Sequence, residues 1–187
     1  MNFSTANSDK LILVTGPARS GKSEWAESLA TNSGKKVIYI ATSQINASDL
    51  EWQARIKQHK NRRPSDWIIL EIPVKLSEAL INYSDEDSCI LVDSLGTWLA
   101  NILAQDEQTW NETLETVIEC LLKVKGNVIL VAEETGWGVV PSFPSGRLFR
   151  DRLGSLIRRL GVISDSVYLV TAGYILPLSD LGIPLKL

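Results

Sequence analysis

The fold is decided by the stretch Leu11-Ile12-Leu13-Val14-Thr15-Gly16-Pro17-Ala18-Arg19-Ser20-Gly21-Lys22-Ser23, an apolar run that leads directly into a loop bracketed by glycines. The loop matches the pattern G-x-x-x-x-G-K-[ST]. In this pattern backbone N–H groups surround a phosphate, the lysine reaches the β and γ phosphates, and the hydroxyl can hold Mg²⁺. The run before the loop favours a strand, and the apolar spacing after it favours a helix whose N-terminus points at the phosphate. We therefore predict a phosphate-binding loop (P-loop) for a nucleoside triphosphate. A glycine turn that matches by chance is less favoured, because both flanks fit.

Composition indicates one globular domain. The chain has 187 residues, of which 44% are hydrophobic, and this is enough for one substantial core. We expect residues 1–10 to be a flexible polar lead-in and residues 11–187 to form a single P-loop nucleotide-binding catalytic domain. The net charge of −3 argues against general nucleic-acid binding and leaves such a role to local basic patches.

The cysteines and the hydropathy pattern bear on location. Cys89 and Cys120 have neither the spacing of a disulfide framework nor that of a metal site. No apolar stretch approaches the roughly 20 residues needed to span a bilayer, and residues 1–10 lack an apolar signal region. We therefore expect a cytoplasmic protein without a membrane span.

Short apolar runs alternate with longer amphipathic stretches along the chain, which predicts an α/β fold with a mostly parallel central sheet flanked by helices. Strands are predicted at 11–15, 37–41, 67–72, 89–93, 128–133 and 167–171. Helices are predicted at 22–33, 50–60, 76–83, 95–103, 111–123 and 146–160. In such sheets the ligand lies at the carboxyl ends of the strands, so polar residues at those ends are the first site candidates.

Asp93 is the main acidic candidate, because it ends a strand that reads as buried. A carboxylate in this place is typical of the acidic partner that orients Mg²⁺ beside a P-loop, together with the hydroxyl of Ser23. An aspartate after a strand can instead cap the next helix, here from Ser94 onward. The presence of the P-loop favours the metal role.

Two other strand ends carry polar groups. The hydroxyls in the Ala41-Thr42-Ser43 segment suit a phosphate or a base, although a plain Ser/Thr turn is an equal alternative on spacing alone. The strand that ends at Glu133 continues through Glu134 into a loop with two glycines. Such a loop either lines a site or is a solvated connection, and the local residues do not separate the two interpretations.

A basic cluster contains the sole histidine of the chain. Its members are Arg55, Lys57, His59, Lys60, Arg62 and Arg63. The cluster would attract a polyphosphate or an RNA backbone, but a solvated helix face is the simpler interpretation of the residue types alone. Histidine has a reference pKa near 6.5, so its neutral, nucleophilic form is well populated at pH 7.

Several motifs in register resemble one family, the bifunctional adenosylcobinamide kinase and adenosylcobinamide-phosphate guanylyltransferases of cobalamin biosynthesis. They span nearly the whole chain in family order, and the histidine and glycine motifs are more specific than the P-loop. The motifs are GPARSGKS at 16–23, YIATSQ at 39–44, RIKQHKNRRP at 55–64, Trp67 with Glu71, Asp93, ETGWGVVP at 134–141 and RLFRD at 147–151.

The resemblance implies two reactions around one nucleotide pocket. In the first, a hydroxyl of adenosylcobinamide takes the γ-phosphoryl group of ATP or GTP. In the second, a histidine, placed by the match at His59, attacks the α-phosphorus of GTP, expels pyrophosphate and passes GMP to adenosylcobinamide phosphate. A covalent intermediate of this kind divides one displacement into two.

The resemblance also implies roles for individual residues. His59 and Lys22 are the expected catalytic residues, and Ser23 and Asp93 are the expected ligands of Mg²⁺. Family members assemble as homo-oligomers, so a homotrimer is the first expectation, with no nucleic-acid partner. The expected nucleotide contacts are Gly16, Pro17, Ala18, Arg19, Ser20, Gly21, Lys22, Ser23, Ala41, Thr42, Ser43, Lys60, Asn61, Arg62, Arg63, Glu71 and Asp93.

The chain departs from the family pattern in places that leave Lys22, Ser23 and His59 intact. Pro17 stands where a second glycine is common and removes one N–H donor from the loop. The other departures are Asp93 for a glutamate, Glu133 for an asparagine, and Ile157 with Arg158 for an Asn-Gln pair. Two rival functions follow from the residues: another small-molecule P-loop kinase without a histidine step, or a non-catalytic nucleotide-gated module that binds RNA or protein.

Overall fold

The computed structural model describes residues 9–44 and 63–185. The strands are β1 (Leu11–Gly16), β2 (Lys36–Ala41), β3 (Ile68–Glu71), β4 (Ser88–Asp93), β5 (Asn127–Glu133), β6 (Ser166–Thr171) and β7 (Tyr174–Pro177). The helices are α1 (Lys22–Asn32), α2 (Leu76–Asn82), α3 (Leu95–Ile102), α4 (Glu107–Lys123), α5 (Pro144–Ile163) and α6 (Leu178–Leu181).

The strands form one sheet in the order β3-β2-β4-β5-β1-β6-β7. Every neighbouring pair is parallel except β6 and β7, which are antiparallel. The predicted α/β class with a mostly parallel sheet is therefore confirmed. Each of the six predicted strands is present, and the predicted helix at 50–60 lies outside the described residues.

The differences from the predicted elements have local causes. Helix α4 begins before the predicted residue 111, because the side chain of Asp106 accepts a hydrogen bond from the Thr109 amide and caps a polar first turn. Strand β7 and helix α6 are additions to the predicted elements. The chain reverses into β7 through Ala172 and Gly173, which both have positive φ angles, 49° and 79°, and a two-residue reversal of this kind joins antiparallel neighbours.

The core lies on both faces of the sheet. In β1, Leu11 and Leu13 face the larger cluster, which helices α2 to α5 cover, whereas Ile12 and Val14 face the smaller cluster under α1. Alternate side chains of a strand point to opposite faces, so a central strand covered on both sides reads as a continuous apolar run. The strand that leads into the P-loop is therefore among the best-buried parts of the molecule.

The register brings the polar strand ends to one edge of the sheet. Gly16 is paired with Glu133, and Ala41 is paired with both Asp93 and Glu71. These pairings put the ends of β3, β2, β4, β5 and β1 side by side, at the position where parallel α/β sheets bind ligands. Among the helices of residues 9–44 and 63–185, none has the length and apolar character needed to cross a membrane.

Candidate nucleotide site

The P-loop leaves the carboxyl end of β1 and enters α1 through two tightly constrained glycines. Gly21 occupies the N-cap position of α1 with φ 97°, a left-handed conformation that favours glycine. A side chain at Gly16 would overlap the backbone carbonyl of Val170, so the chain can pass there only without a Cβ. These two positions give the loop its turn and leave the free N–H groups of the first turn of α1 for an anion.

Lys22 is folded back over the loop. Its side chain is buried, and its ammonium donates a hydrogen bond to the carbonyl of Pro17 at 3.2 Å. Pro17 lacks an N–H donor, yet its carbonyl supplies this acceptor. The hydroxyl of Ser20 is also buried and has no hydrogen-bond partner among the described residues. An unpaired buried hydroxyl inside the loop suits a ligand with acceptor oxygens.

Asp93 lies opposite the end of the P-loop. The hydroxyl of Ser23 donates to its Oδ1 at 3.4 Å, and the hydroxyl of Tyr39 donates to its Oδ2 at 2.8 Å. The alternative helix-cap role falls to its neighbour, because Ser94 is the N-cap of α3 and accepts from the Thr97 amide. The Asp93 carboxylate is thus directed towards the P-loop.

The pair of Ser23 and Asp93 fits a magnesium ion bound together with a nucleotide. Mg²⁺ is held in such sites by one or two protein oxygens, and the phosphates and water complete its octahedron. Within residues 9–44 and 63–185 no three carboxylate, histidine or cysteine side chains come together as a metal cluster. The donor set of one hydroxyl and one carboxylate therefore matches a shared metal–nucleotide site better than an all-protein cage.

Tyr39 stands behind Asp93 in a buried aromatic group. The ring of Trp67 stacks beside it, with centroids 6.3 Å apart, and the guanidinium of Arg63 lies 3.4 Å from its ring centroid. Arg63 also forms an ion pair with Glu27 of α1 at 3.7 Å, and both side chains are largely buried. Burial and the nearby Asp93 carboxylate raise the pKa of Tyr39 above its ordinary value, so its hydroxyl stays a donor.

A hydrogen-bond network ties the end of β2 to α3. The Thr42 hydroxyl accepts from the Ser94 amide at 2.9 Å and donates to the Ser94 carbonyl at 2.7 Å. The amide of Asn101 donates to the carbonyls of Thr42 and Pro73, at 2.7 and 2.9 Å. The Thr42 hydroxyl is therefore used within the fold, whereas Ala41 and Ser43 on either side of it are partly exposed.

The two carboxylates at the end of β5 bond to different neighbours. Glu133 accepts from the hydroxyl of Ser94 and, at 2.9 Å, from the amide of Gly96, so it binds the N-terminus of α3. Glu134 accepts from the Thr15 hydroxyl at 2.6 Å, and its amide donates to the Gly16 carbonyl at 3.0 Å. The first residue of the loop is thus tied to the P-loop, whereas residues 135–140 are exposed.

The remaining candidates are distributed unevenly. Glu71 is exposed at the end of β3, on the same edge of the sheet as Asp93. Ile157 packs against the larger core, and Arg158 is exposed on α5. The candidates His59, Lys60, Asn61 and Arg62, with Arg55 and Lys57 of the basic cluster, lie outside the described residues.

Three residues that contact the site candidates are not among the residues predicted from sequence: Tyr39, Thr15 and Asn101. Tyr39 and Thr15 lie in runs whose apolar character predicts buried strands. The available signal is the hydroxyl placed inside each run, since a buried hydroxyl requires a hydrogen-bond partner. Asn101 gives a similar signal, as a polar residue near the end of a mostly apolar helix.

Comparison with known proteins identifies the family of the chain. A family model described as cobinamide kinase / cobinamide phosphate guanyltransferase matches residues 12–178. The chain belongs to this family. The bifunctional adenosylcobalamin biosynthesis protein CobP of Pseudomonas aeruginosa is 42% identical over 167 residues, which cover 89% of this chain and 95% of that protein. The corresponding protein CobU of Salmonella typhimurium is 36% identical over 177 residues, which cover 87% and 96%.

Solved structures agree with the fold. An ATPase of the type III secretion system of pathogenic bacteria superposes with a TM-score of 0.51 at 11% identity, over 92% of this chain and 53% of that one. At this identity the likeness concerns the fold alone. Together with the family match, it confirms the predicted P-loop NTPase-like fold and the predicted family. The protein is a kinase and guanylyltransferase of cobalamin biosynthesis, a transferase of phosphorus-containing groups, with GTP and ATP as substrates.

Proposed function

We propose that the two reactions of this family share one site at the carboxyl edge of the sheet, with the triphosphate on residues 16–23. The proposal is carried by the arrangement of Lys22, Ser23 and Asp93 beside the N-terminus of α1, where the Ser23 hydroxyl donates a hydrogen bond to the Asp93 carboxylate. Lys22 exchanges the Pro17 carbonyl for phosphate oxygens, and Ser23 and Asp93 hold Mg²⁺. When bound, the ion supplies charge neutralisation to the transferring phosphoryl group.

In the kinase reaction we propose that a hydroxyl of adenosylcobinamide attacks the γ-phosphorus, and that the bond to the β–γ bridging oxygen breaks as the nucleoside diphosphate leaves. The amide groups of the P-loop and Lys22 stabilise the charge on the transferring group. The loop that starts at Glu134 leaves the sheet next to Gly16. An acceptor that contacts this loop would therefore lie beside the first residue of the P-loop.

In the guanylyltransferase reaction we propose that His59 is the nucleophile. A ring nitrogen of His59 forms a bond to the α-phosphorus of GTP, and pyrophosphate leaves. A phosphate oxygen of adenosylcobinamide phosphate then attacks the same phosphorus, and the phosphorus–nitrogen bond breaks to regenerate the histidine. Ala41, Ser43, Glu71, Arg63 and the residues 60–62 are proposed as further nucleotide contacts.

Labelled nucleotide tests these assignments. Incubation with Mg²⁺ and GTP labelled at the α-phosphate is expected to leave acid-labile, alkali-stable label on the protein. His59→Asn should lose this label. In a second incubation, with nucleotide labelled at the γ-phosphate, the same variant should still transfer label to adenosylcobinamide. Gln58→Asn is the matched control in the adjacent position and should behave like the wild type.

The outcomes separate the alternatives. Label that persists in His59→Asn would overturn the assignment of the nucleophile. Absence of label from a protein that still phosphorylates adenosylcobinamide would instead indicate a kinase without a histidine step. Salt-sensitive RNA binding without either transfer would indicate a binding module.

We also propose that residues 11–187 act as one catalytic domain of a cytoplasmic homotrimer. Large apolar side chains are exposed in the loop between β5 and α5, where the exposed fractions are 67% for Trp137, 94% for Val139 and 75% for Phe143. Apolar groups in such numbers are typical of a contact surface. Sedimentation analysis should give a mass three times the 20.7 kDa of one chain, and a monomeric mass would refute the trimer.

A further inference from the structure

The orientation of the Asp93 carboxylate depends on a residue outside the P-loop. Its Oδ1 faces Ser23, and its Oδ2 accepts from the Tyr39 hydroxyl at 2.8 Å. The terminal torsion of an aspartate is broad, so the side chain alone does not fix the angle at which its carboxylate plane faces the P-loop. A donor on one oxygen fixes this angle, and Tyr39 supplies that donor.

We propose that Tyr39 is a positioning residue of the nucleotide site, which holds Oδ2 of Asp93 so that Oδ1 and the Ser23 hydroxyl together face the metal of a bound metal–nucleotide complex. The inference rests on the proposed use of Ser23 and Asp93 as metal ligands. It adds a residue that touches neither metal nor nucleotide and acts through Asp93.

The surroundings of Tyr39 suit this role. Its side chain is 2% exposed, so the ring cannot turn its hydroxyl away to solvent. The Arg63 guanidinium lies 3.4 Å from the ring centroid, and Trp67 stacks nearly parallel to the ring, at 25°. Packing on this scale fixes an aromatic side chain well, and the cation adds an attraction to the ring face.

Arg63 links this arrangement to the P-loop helix. Its guanidinium is paired with Glu27 of α1 at 3.7 Å, one turn after Ser23 on the same helix. Arg63 thus connects the ring of Tyr39 to the helix that carries Ser23. A shift of the ring would change the distance between the two oxygens that face the metal.

The test measures how strongly Mg²⁺ tightens the binding of α,β-methylene GTP, an analogue whose α–β bond does not break. Calorimetric titrations with and without Mg²⁺ compare the wild type with Tyr39→Phe. The variant should bind the analogue within about 2-fold of the wild type without Mg²⁺ and roughly 10-fold more weakly with it, since a hydrogen bond to a charged group is worth about that factor or more. Tyr83→Phe, which removes a hydroxyl at the end of α2, should match the wild type.

A double-mutant cycle with Asp93→Asn shows whether Tyr39 acts through Asp93. The effect of Tyr39→Phe on the Mg²⁺ enhancement should disappear in the Asp93→Asn background, because the oxygen that it orients no longer carries charge. A general loss of folding would instead weaken binding equally with and without Mg²⁺. Arg63→Lys provides a second variant, because lysine keeps the charge and loses the planar group over the ring. Arg63→Lys should reduce the Mg²⁺ enhancement of analogue binding about 3-fold when Asp93 is present, and should leave it unchanged in the Asp93→Asn background.

The possible results are distinguishable. The inference would be overturned if Mg²⁺ tightened analogue binding in Tyr39→Phe and Arg63→Lys as much as in the wild type, while Asp93→Asn showed a smaller Mg²⁺ effect. The proposed function would then still stand. Additive losses in the cycle would overturn the inference in the same way. A wild type whose affinity for the analogue ignores Mg²⁺ would overturn both.

Discussion

Replacement of Gly96 by alanine tests the contact between β5 and α3. Gly96 lies in the first turn of α3, and its amide donates to Glu133 Oε2 at 2.9 Å. A Cβ at this position would overlap the same carboxylate oxygen, which is the far end of a movable side chain. Gly96→Ala should therefore displace Glu133 and break its hydrogen bonds to Gly96 and Ser94, while the backbone stays in place.

Two opposing effects set the expected change in stability. Hydrogen bonds to a charged acceptor contribute about 1.5–3 kcal/mol each, and water replaces part of this at a partly buried carboxylate. Alanine is favoured over glycine inside a helix by up to about 1 kcal/mol. The lost hydrogen bonds outweigh the gain in helix propensity, so we expect Gly96→Ala to lower the free energy of unfolding by about 1–2 kcal/mol. For a chain of this length the melting temperature falls by about 2–4 °C per kcal/mol.

Urea denaturation of the wild type and the variants checks this balance. Gly154→Ala is the matched control, because Gly154 is exposed within α5 and a Cβ there meets no atom within 4 Å. It should stabilise the protein by about 0.5–1 kcal/mol. In a Glu133→Ala background Gly96→Ala should no longer destabilise, since the carboxylate is absent. Equal destabilisation in both backgrounds, or a Gly96→Ala protein as stable as Gly154→Ala, would refute the reasoning.

Three further predictions follow from buried or capping groups. Asp106 caps α4, and its hydrogen bonds with the Thr109 amide and side chain lower its pKa from the ordinary 3.8. Its contribution to stability is therefore present above pH 3.8 and is lost as the pH falls through the lowered pKa. Asp106→Asn should lose less stability than the wild type between pH 6 and pH 3 in urea titrations. Burial raises the pKa of Cys89 to about 11 and leaves it inaccessible, so a thiol reagent at pH 8 should label Cys120 in the folded protein and Cys89 only after unfolding, as peptide mapping would show. Arg152 donates to two backbone carbonyls after α3, at 3.0 and 2.9 Å, and Arg152→Met should cost about 2–3 kcal/mol in the same titrations because both acceptors lose their partner; an unchanged midpoint would contradict this.

The sequence predicts much of the fold because its signals are local. The central strands β1, β2, β4 and β5 are apolar runs buried along most of their length, and such runs can be recognised without tertiary information. The edge strand β7 is different, since Tyr174, Ile175 and Leu176 remain substantially exposed and the strand depends on its pairing with β6. The strand forms because of this tertiary contact, so the local sequence pattern alone does not predict it.

The candidate site likewise contains residues that local motifs predict and contacts that only the tertiary structure shows. Residues 16–23 and Asp93 are predictable because one motif and one strand end mark them. The contacts of Asp93 are not, because Tyr39 is separated from it by 54 positions, and their meeting requires β2 to pair with β4. The choice between a metal role and a helix cap for Asp93 depends on the next residue, since Ser94 takes the cap.

The burial of β1 on both faces has a consequence for how the protein moves. Leu13 and Val14 are wholly shielded from water in the middle of a seven-stranded sheet, and amides of such strands exchange their hydrogens only when the whole domain opens. The P-loop therefore starts from one of the slowest-opening parts of the molecule, and its backbone keeps a fixed geometry while less buried segments open and close.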